Sequence, residues 1–195
     1  DDRAALIVSD LECAESHGGV ALPVTTTRVA EQVTRYHGAE VVWTAPGEAE
    51  LSAQVADNHI VLAADGEGGF IIPAVGRHLD PVAAFVRLMS LVARTRLTVS
   101  AIDERIPASY VVDTHVITPW AKKGMVMRLV REQSDAPELE DGFGGVRLVY
   151  GPRRWVFVAT DATEALTRLW AEGESQSDAD DLLLRWTERL HAALA

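Results

Sequence analysis

The sequence has almost no cysteine and no long hydrophobic run. Cys13 is the only cysteine among 195 residues, which excludes an internal disulfide and a cluster of thiolate metal ligands. No apolar stretch approaches the roughly 18 residues that a membrane-spanning helix needs, so we expect no membrane partner. Because so little cysteine is compatible with a reducing compartment, we expect a cytoplasmic location.

Basic residues are also scarce relative to acidic ones. The chain contains 18 lysines and arginines against 29 aspartates and glutamates, which gives a formal net charge of -11. Binding to a nucleic-acid backbone requires a basic surface, so the charge balance argues against a nucleic-acid partner. The simplest interpretation of the excess acid is that it keeps the protein in solution.

In the first half of the chain, short apolar runs alternate with helical spacings. Asp80-Pro81 opens the clearest helix, with Asp80 as its cap and Pro81 at the first helical position. His37-Gly38 ends an earlier one. Strands joined to helices by short loops predict a mixed or parallel α/β domain over residues 1–107. The predicted strands are 20–24, 41–43, 60–64 and 70–72, and the predicted helices are 3–15, 28–36, 47–55, 80–94 and 98–105.

The pattern changes after Pro107, where strands cluster and helices lie towards the ends. This predicts a separate, smaller α+β domain over residues 108–195. The polar, glycine-rich stretch 132–145 is predicted to be a loop, and Gly151-Pro152 is predicted to turn a hairpin. The predicted strands are 110–116, 146–150, 155–158 and 165–172, and the predicted helices are 120–132 and 178 onward.

The strongest local signal is the run Asp65-Gly66-Glu67-Gly68-Gly69, which directly follows a predicted buried strand. Its three glycines allow a ligand to approach the backbone closely, and α/β proteins usually bind ligands at this edge of the sheet. The carboxylates of Asp65 and Glu67 are suited to accept hydrogen bonds from sugar hydroxyls, with Gly68 between them and the next strand. The alternative is a plain tight turn with solvated acids.

Several other kinds of site are missing from the sequence. The G-x-G-x-x-G spacing, the G-K-[ST] phosphate loop and the G-x-S-x-G nucleophile elbow do not occur. The six histidines show no metal-ligand spacing. We therefore predict neither a catalytic residue nor a metal site in this chain.

Taken together, these segments resemble the C-terminal half of an α-D-phosphohexomutase, the phosphomannomutase/phosphoglucomutase family. The run 65–69 with the following Phe-Ile-Ile-Pro is similar to the family's sugar-binding loop, G-E-x-S-G-G/H before an apolar strand. Residues 24–27, 37–38 and 44–47 resemble the opening of its third domain, and 80–93 the helix that follows the sugar loop. Residues 141–147 and Trp155 resemble a stretch of its fourth domain, and 159–165 align with its phosphate loop, R-P-S-G-T-E-P.

Departures from the family pattern affect the phosphate loop most. Ala159 stands where the family has arginine, and Asp161 stands where it has serine. An arginine can clamp a phosphate through two hydrogen bonds, whereas an aspartate repels it. We therefore predict a degenerate phosphate loop made of Thr160, Asp161, Thr163 and Arg168. The family's phosphoserine and Mg²⁺-binding aspartates, and the basic residue it tends to place at position 48, have no counterpart here.

The resemblance implies a fold and two candidate functions. The fold is a mixed or parallel α/β sugar-binding domain followed by a smaller α+β domain. The first function is a module that is non-catalytic alone, within a protein of hexose-phosphate or nucleotide-sugar metabolism, such as the actinobacterial fusion to a mannose-1-phosphate guanylyltransferase. The alternative is the substrate-binding half of an active mutase that moves phosphate between C1 and C6 of a hexose. An unrelated sugar-binding α/β protein is a third interpretation.

Partners and cofactors follow from the same resemblance. The expected partners are N-terminal domains of the same parent protein and a hexose phosphate, and an oligomer is possible in principle. No cofactor is expected in this chain itself. Mg²⁺ is expected only in an active parent mutase or nucleotidyltransferase.

Overall fold

A computed structural model shows the chain folded into two compact units that divide between Ala108 and Ser109. The structure describes residues 2–56 and 59–194. Residues 1, 57, 58 and 195, which belong to the predicted domain ranges 1–107 and 108–195, lie outside the described part. Within that part, no helix is long and apolar enough to cross a membrane.

The first unit is built around a four-stranded mixed sheet in the order β2-β1-β3-β4. Strands β1, β2 and β3 are parallel, and β4 runs antiparallel to β3. The elements are α1 (Asp2–Ser16), β1 (Gly19–Pro23), α2 (Val29–Tyr36), β2 (Val41–Thr44), α3 (Glu48–Gln54), β3 (Ile60–Ala64), β4 (Phe70–Ile71), α4 (Pro81–Thr95) and α5 (Val99–Asp103).

Helices cover both faces of this sheet. Successive residues of a strand point to opposite sides, so each strand contributes apolar side chains to the core on both faces. Val20 and Leu22 of β1 pack into a core shared with α1 and α2. Ala21, between them, packs instead with Leu51 of α3. The buried strands therefore read as continuous apolar runs, which is why their positions could be predicted from the sequence.

Two helix ends follow the predicted chemistry. The Asp80 carboxylate accepts hydrogen bonds from the backbone N–H groups of Val82 (3.0 Å) and Ala83 (2.9 Å), so Asp80 is the N-cap of α4. Gly38 follows α2 with φ of 71°, the left-handed conformation that glycine adopts without strain.

The second unit is an antiparallel sheet covered by two helices. Its five strands lie in the order β5-β9-β8-β7-β6. Val126 and Val130 of α6 share one core with Trp186 and Leu190 of α7. The elements are β5 (Val111–Ile117), a short 3-10 turn (Trp120–Lys122), α6 (Lys123–Glu132), β6 (Glu138–Gly142), β7 (Gly145–Gly151), β8 (Arg154–Thr160), β9 (Leu166–Glu172) and α7 (Gln176–Leu194).

The prediction of a loop over residues 132–145 is wrong, because Glu138–Gly142 forms the edge strand β6. Its residues are mostly exposed and acidic, and acidic residues are depleted in strands in general, so the pattern gave no strand signal. Charged side chains are nevertheless suited to an edge strand. Phe143 (φ 55°) and Gly144 (φ 79°) turn the chain into β7, and positive φ at both positions is typical of a tight hairpin turn.

Apart from this strand, the predicted fold class is confirmed. A mixed α/β unit with parallel and antiparallel strand pairs is followed by an α+β unit whose strand pairs are all antiparallel.

Candidate functional site

The glycine-rich loop 65–69 lies at the carboxyl end of β3. It is next to the segment that follows β1, since a Cβ placed on Gly66 would lie 3.3 Å from the Thr26 hydroxyl oxygen. The Thr26 side chain is buried, and its hydroxyl has no hydrogen-bond partner in the part of the chain that the structure describes. The loops after two neighbouring parallel strands therefore meet at one edge of the sheet, the usual location of a ligand site in such a fold.

Asp65 holds this loop in shape through its own side chain. Its Oδ1 accepts hydrogen bonds from the N–H of Glu67 (2.7 Å) and of Gly69 (2.8 Å), and its own N–H donates to the Gly69 carbonyl (3.1 Å). The loop also needs glycine at two positions of positive φ, Gly66 (81°) and Gly68 (111°). One oxygen of Asp65 is thus committed to the backbone.

Glu67 lies near the tip of the same loop and is exposed, as is Gly68. Among the described residues, the Glu67 carboxylate has no hydrogen-bond or ion-pair partner. It remains available to accept hydrogen bonds from a ligand. The structure therefore gives the two predicted acids different roles: Asp65 shapes the loop, and Glu67 presents a carboxylate.

The second predicted site is the connection between β8 and β9. Thr160 ends β8 and pairs with Thr167 of β9, which fixes both ends of the connection. The Asp161 carboxylate turns back into this connection. Its Oδ1 accepts hydrogen bonds from the Thr163 N–H (2.8 Å), the Thr163 hydroxyl (2.9 Å) and the Glu164 N–H (2.9 Å).

Two basic side chains form hydrogen bonds with this connection. Arg168 donates from Nε to Asp161 Oδ2 (2.9 Å) and from a terminal nitrogen to Glu164 Oε2 (3.1 Å). Lys123 Nζ donates to the backbone carbonyls of Asp161 and Glu164 and lies over the ring of Trp120. The pKa of Asp161 falls well below its ordinary value, first because of the Thr163 N–H and then because of Arg168, so this carboxylate is ionised throughout the physiological range.

The structure therefore groups the predicted residues Thr160, Asp161, Thr163 and Arg168 around one loop. Sequence reasoning missed Lys123, because it placed this residue in a helix and considered no contact beyond that helix. A lysine 38 residues before its carbonyl partner carries no spacing signal.

Elsewhere in the part of the chain that the structure describes, no group of three or more histidine, cysteine, aspartate or glutamate side chains could hold a metal ion. Cys13 is fully buried in α1. Burial raises the pKa of its thiol to about 12, as do the neighbouring carboxylates of Asp10 and Glu12. Because reactivity requires the thiolate, Cys13 is a core residue and not a nucleophile.

A helix-covered mixed sheet with a glycine-rich loop at its carboxyl edge, followed by a unit with an antiparallel sheet and two helices, defines a two-unit α/β protein. The family profile described as phosphoglucomutase/phosphomannomutase, alpha/beta/alpha domain III, matches residues 1–110. This is more than half of the sequence. The chain belongs to the phosphoglucomutase/phosphomannomutase family.

Individual relatives agree with this assignment. The chain is 30% identical over 183 residues to a probable phosphoglucosamine mutase of Methanopyrus kandleri, a match that covers 93% of this chain and 40% of the relative. It is 21% identical over 194 residues to a phosphoglucomutase/phosphomannomutase of Thermococcus kodakarensis, covering 99% of this chain and 42% of the relative.

Solved structures show the same fold. A phosphoglucomutase/phosphomannomutase family protein from Burkholderia thailandensis superposes with a TM-score of 0.76 at 20% identity, over 99% of this chain and 41% of the other. The chain therefore spans about two fifths of the length of the relatives it matches.

Proposed function

We propose that this chain is a phosphohexomutase-like C-terminal module that is non-catalytic on its own. The observation that carries the proposal is the position of the Asp161 carboxylate, which accepts hydrogen bonds from the backbone N–H groups of Thr163 and Glu164. By the family resemblance, donors of this loop would hold the substrate phosphate. In this chain they hold an internal carboxylate.

An incoming phosphate would meet two obstacles at this loop. It would have to replace Asp161 at two N–H groups, one hydroxyl and one guanidinium, and it would remain next to the displaced negative charge. The neighbouring cations offer little compensation, since Arg168 already contacts two carboxylates and Lys123 two carbonyls. Asp161 has a further advantage over a phosphate. Its charge-assisted hydrogen bonds form within the chain, whereas a separate ligand loses translational and rotational freedom when it binds.

The parent protein belongs to the same proposal. We propose that the module acts in hexose-phosphate or nucleotide-sugar metabolism in the cytoplasm, next to N-terminal domains of the same polypeptide, as in the fusion to a mannose-1-phosphate guanylyltransferase. The family membership of the chain supports the metabolic area. The resemblance stated from the sequence supports the fusion.

A second candidate function is the substrate-binding half of an active mutase. Two observations favour it. The matched relatives are described as mutases, and the loop that resembles the family's sugar-binding loop keeps an exposed carboxylate at Glu67. In that case the parent would carry a phosphoserine and Mg²⁺-binding aspartates in other domains. Asp161 would then have to move when phosphate binds.

Calorimetric titration separates these candidates. Wild-type chain is titrated with mannose 1-phosphate, glucose 1-phosphate and GDP-mannose, in parallel with Asp161→Ser, which restores the serine of the family loop. The matched control is Asp141→Ser, because Asp141 also pairs with an arginine, Arg131, but accepts no loop N–H.

We expect no binding of any hexose phosphate to the wild type or to Asp141→Ser, and measurable binding to Asp161→Ser. Millimolar or tighter binding to the wild type, lost in Glu67→Ala, would contradict the proposal and favour the mutase half. Circular dichroism of each variant confirms that the fold is unchanged.

A further inference from the structure

A cavity of about 290 Å³ lies in the first unit at the amino end of β3, opposite to the edge that carries the glycine-rich loop. Three buried residues line it: Ile60 begins β3, Ile72 follows β4, and Val55 follows α3. Ile72 belongs to the core shared with α1 and α2, whereas Ile60 and Val55 belong to the core under α3. These three side chains, from both faces of the sheet, form what we call the apolar wall of the cavity.

Polar side chains from three further segments line the same cavity. Ser16 ends α1, Arg77 lies between β4 and α4, and Arg87 belongs to α4. In the part of the chain that the structure describes, neither the Ser16 hydroxyl nor the Arg77 guanidinium has a hydrogen-bond or ion-pair partner. Arg87 donates to Glu12 through Nε and Nη2, and its Nη1 has no acceptor among the described residues. Three hydrogen-bonding groups are thus available to a ligand.

The lining of this cavity is positively charged in a chain whose net charge is -11. Arg77 and Arg87 carry one positive charge each and Glu12 carries one negative charge, so the net charge of the lining is +1. The Glu12 side chain is 2% exposed, and its two oxygens accept hydrogen bonds from Arg87 at 2.7 and 2.8 Å. The surplus positive charge is therefore that of Arg77. A cleft whose walls carry one sign of charge attracts ligands of the opposite sign.

We propose that this cavity binds a small monocarboxylate with a short apolar body. The guanidinium of Arg77 offers parallel N–H donors that match the two oxygens of a carboxylate. The Ser16 hydroxyl and Arg87 Nη1 supply further donors for the same group. The body of the ligand packs on the apolar wall.

Size and charge define this class of ligand. The cavity volume lies just below the range of about 300–1,000 Å³ that is typical of sites for drug-sized ligands, so the ligand is small. One surplus positive charge balances one negative charge, which favours a carboxylate over a phosphate dianion. The apolar wall offers no side-chain donor or acceptor to the hydroxyls of a sugar. The site shares no residue with the two loops of the proposed function and is independent of it.

Nuclear magnetic resonance titration of the ¹⁵N-labelled chain tests the proposal. The probe is 2-methylpropanoate, and its neutral control is 2-methylpropanamide, which has nearly the same shape without the charge. Both are added at constant ionic strength. The variant Arg77→Gln removes the surplus charge at an exposed position. The matched control is Arg35→Gln, because Arg35 is an exposed arginine of α2 that also has no partner among the described residues and does not line the cavity.

We expect 2-methylpropanoate to shift the backbone N–H signals of Ser16, Val55, Ile72 and Arg77 saturably, with a dissociation constant of about 1–10 mM for so small a ligand. Arg77→Gln should weaken this binding by about tenfold or more, because a charge-assisted pair is lost. Arg35→Gln should leave the affinity unchanged. The neutral amide should produce no saturable shift.

Four results overturn the inference. Shifts that do not saturate, or that are spread over the surface, mean that the cavity is not a site. Equal binding of the amide means that the cavity selects an apolar body and not an anion. Equal weakening in Arg77→Gln and Arg35→Gln means a general attraction to positive charge. Inorganic phosphate that binds at the same residues about tenfold more tightly means that the site takes a phosphate group. Spectra of the free variants that superpose on the wild type confirm the fold.

Discussion

Two ion pairs join the same two helices of the first unit but differ sharply in burial. Arg87 donates to both carboxylate oxygens of Glu12, at 2.7 and 2.8 Å, and the Glu12 side chain is only 2% exposed. Arg94 pairs with Glu15, one turn further along α1 and two turns further along α4, and there the side chains are 58% and 38% exposed. The prediction is that Glu12→Gln destabilises the unit far more than Glu15→Gln does.

The magnitude follows from what each substitution leaves behind. In Glu12→Gln one oxygen of the bidentate pair becomes an NH₂ group that faces an arginine N–H, and a mostly buried guanidinium loses its counter-charge. Removing one partner of a buried pair costs about 3–5 kcal/mol. Arg87 is still 21% exposed and keeps some water, so we expect about 2–3 kcal/mol. The exposed pair contributes about 0–1 kcal/mol.

Cys13 provides the assay, because its buried thiol reacts only when the first unit opens. Labelling of the wild type, Glu12→Gln and Glu15→Gln is compared at pH 8 under native conditions. A loss of 2 kcal/mol corresponds to about 30-fold faster labelling. Because Glu12 adjoins Cys13, the substitution could alter labelling locally, so stability is also measured by circular dichroism. The urea midpoint of Glu12→Gln should fall well below that of Glu15→Gln. Equal labelling rates in Glu12→Gln and Glu15→Gln would refute the argument.

Two further predictions concern pH and a close backbone contact. Burial raises the pKa of Cys13 from 9.0 to about 12, so above pH 9 the folded state retains a proton that the unfolded state releases. The resulting stability is complete below pH 9 and is lost as the pH rises towards 12. In urea unfolding measured across this range, Cys13→Ala should flatten the decline. In the second unit, a Cβ at Gly173 would lie 2.3 Å from the Ala179 backbone nitrogen, so Gly173→Ala should cost about 1–3 kcal/mol in tryptophan-monitored unfolding. Gly142→Ala, where the Cβ meets open space, is the control and should cost clearly less; similar losses would contradict the steric explanation.

The helix ends and buried strands of the first unit can be predicted from the local sequence alone. The Asp80-Pro81 start of α4 and the Gly38 end of α2 depend on neighbouring residues alone, and the structure confirms both. The strands around Leu22 and Leu62 could be predicted because both faces of a mostly parallel sheet are covered, which makes their sequences continuously apolar.

The edge strand β6 shows where this reasoning ends. Its partner β7 supplies the hydrogen bonds, so acidic residues such as Glu138 and Glu140 can occupy a strand that they would not favour alone. The pairing is a property of both strands together. The sequence of residues 138–142 by itself therefore resembles a loop.

The two candidate sites divide in the same way. The sequence by itself determined that Asp65, Glu67 and the glycines form a loop after a buried strand, and that Asp161 replaces a serine of the family pattern. Only the tertiary structure decided what these acids do, because the direction of a carboxylate depends on which N–H groups and cations surround it. Asp65 turns into its own loop, and Asp161 takes the donors of Thr163, Glu164 and Arg168, the last of which comes from the next strand.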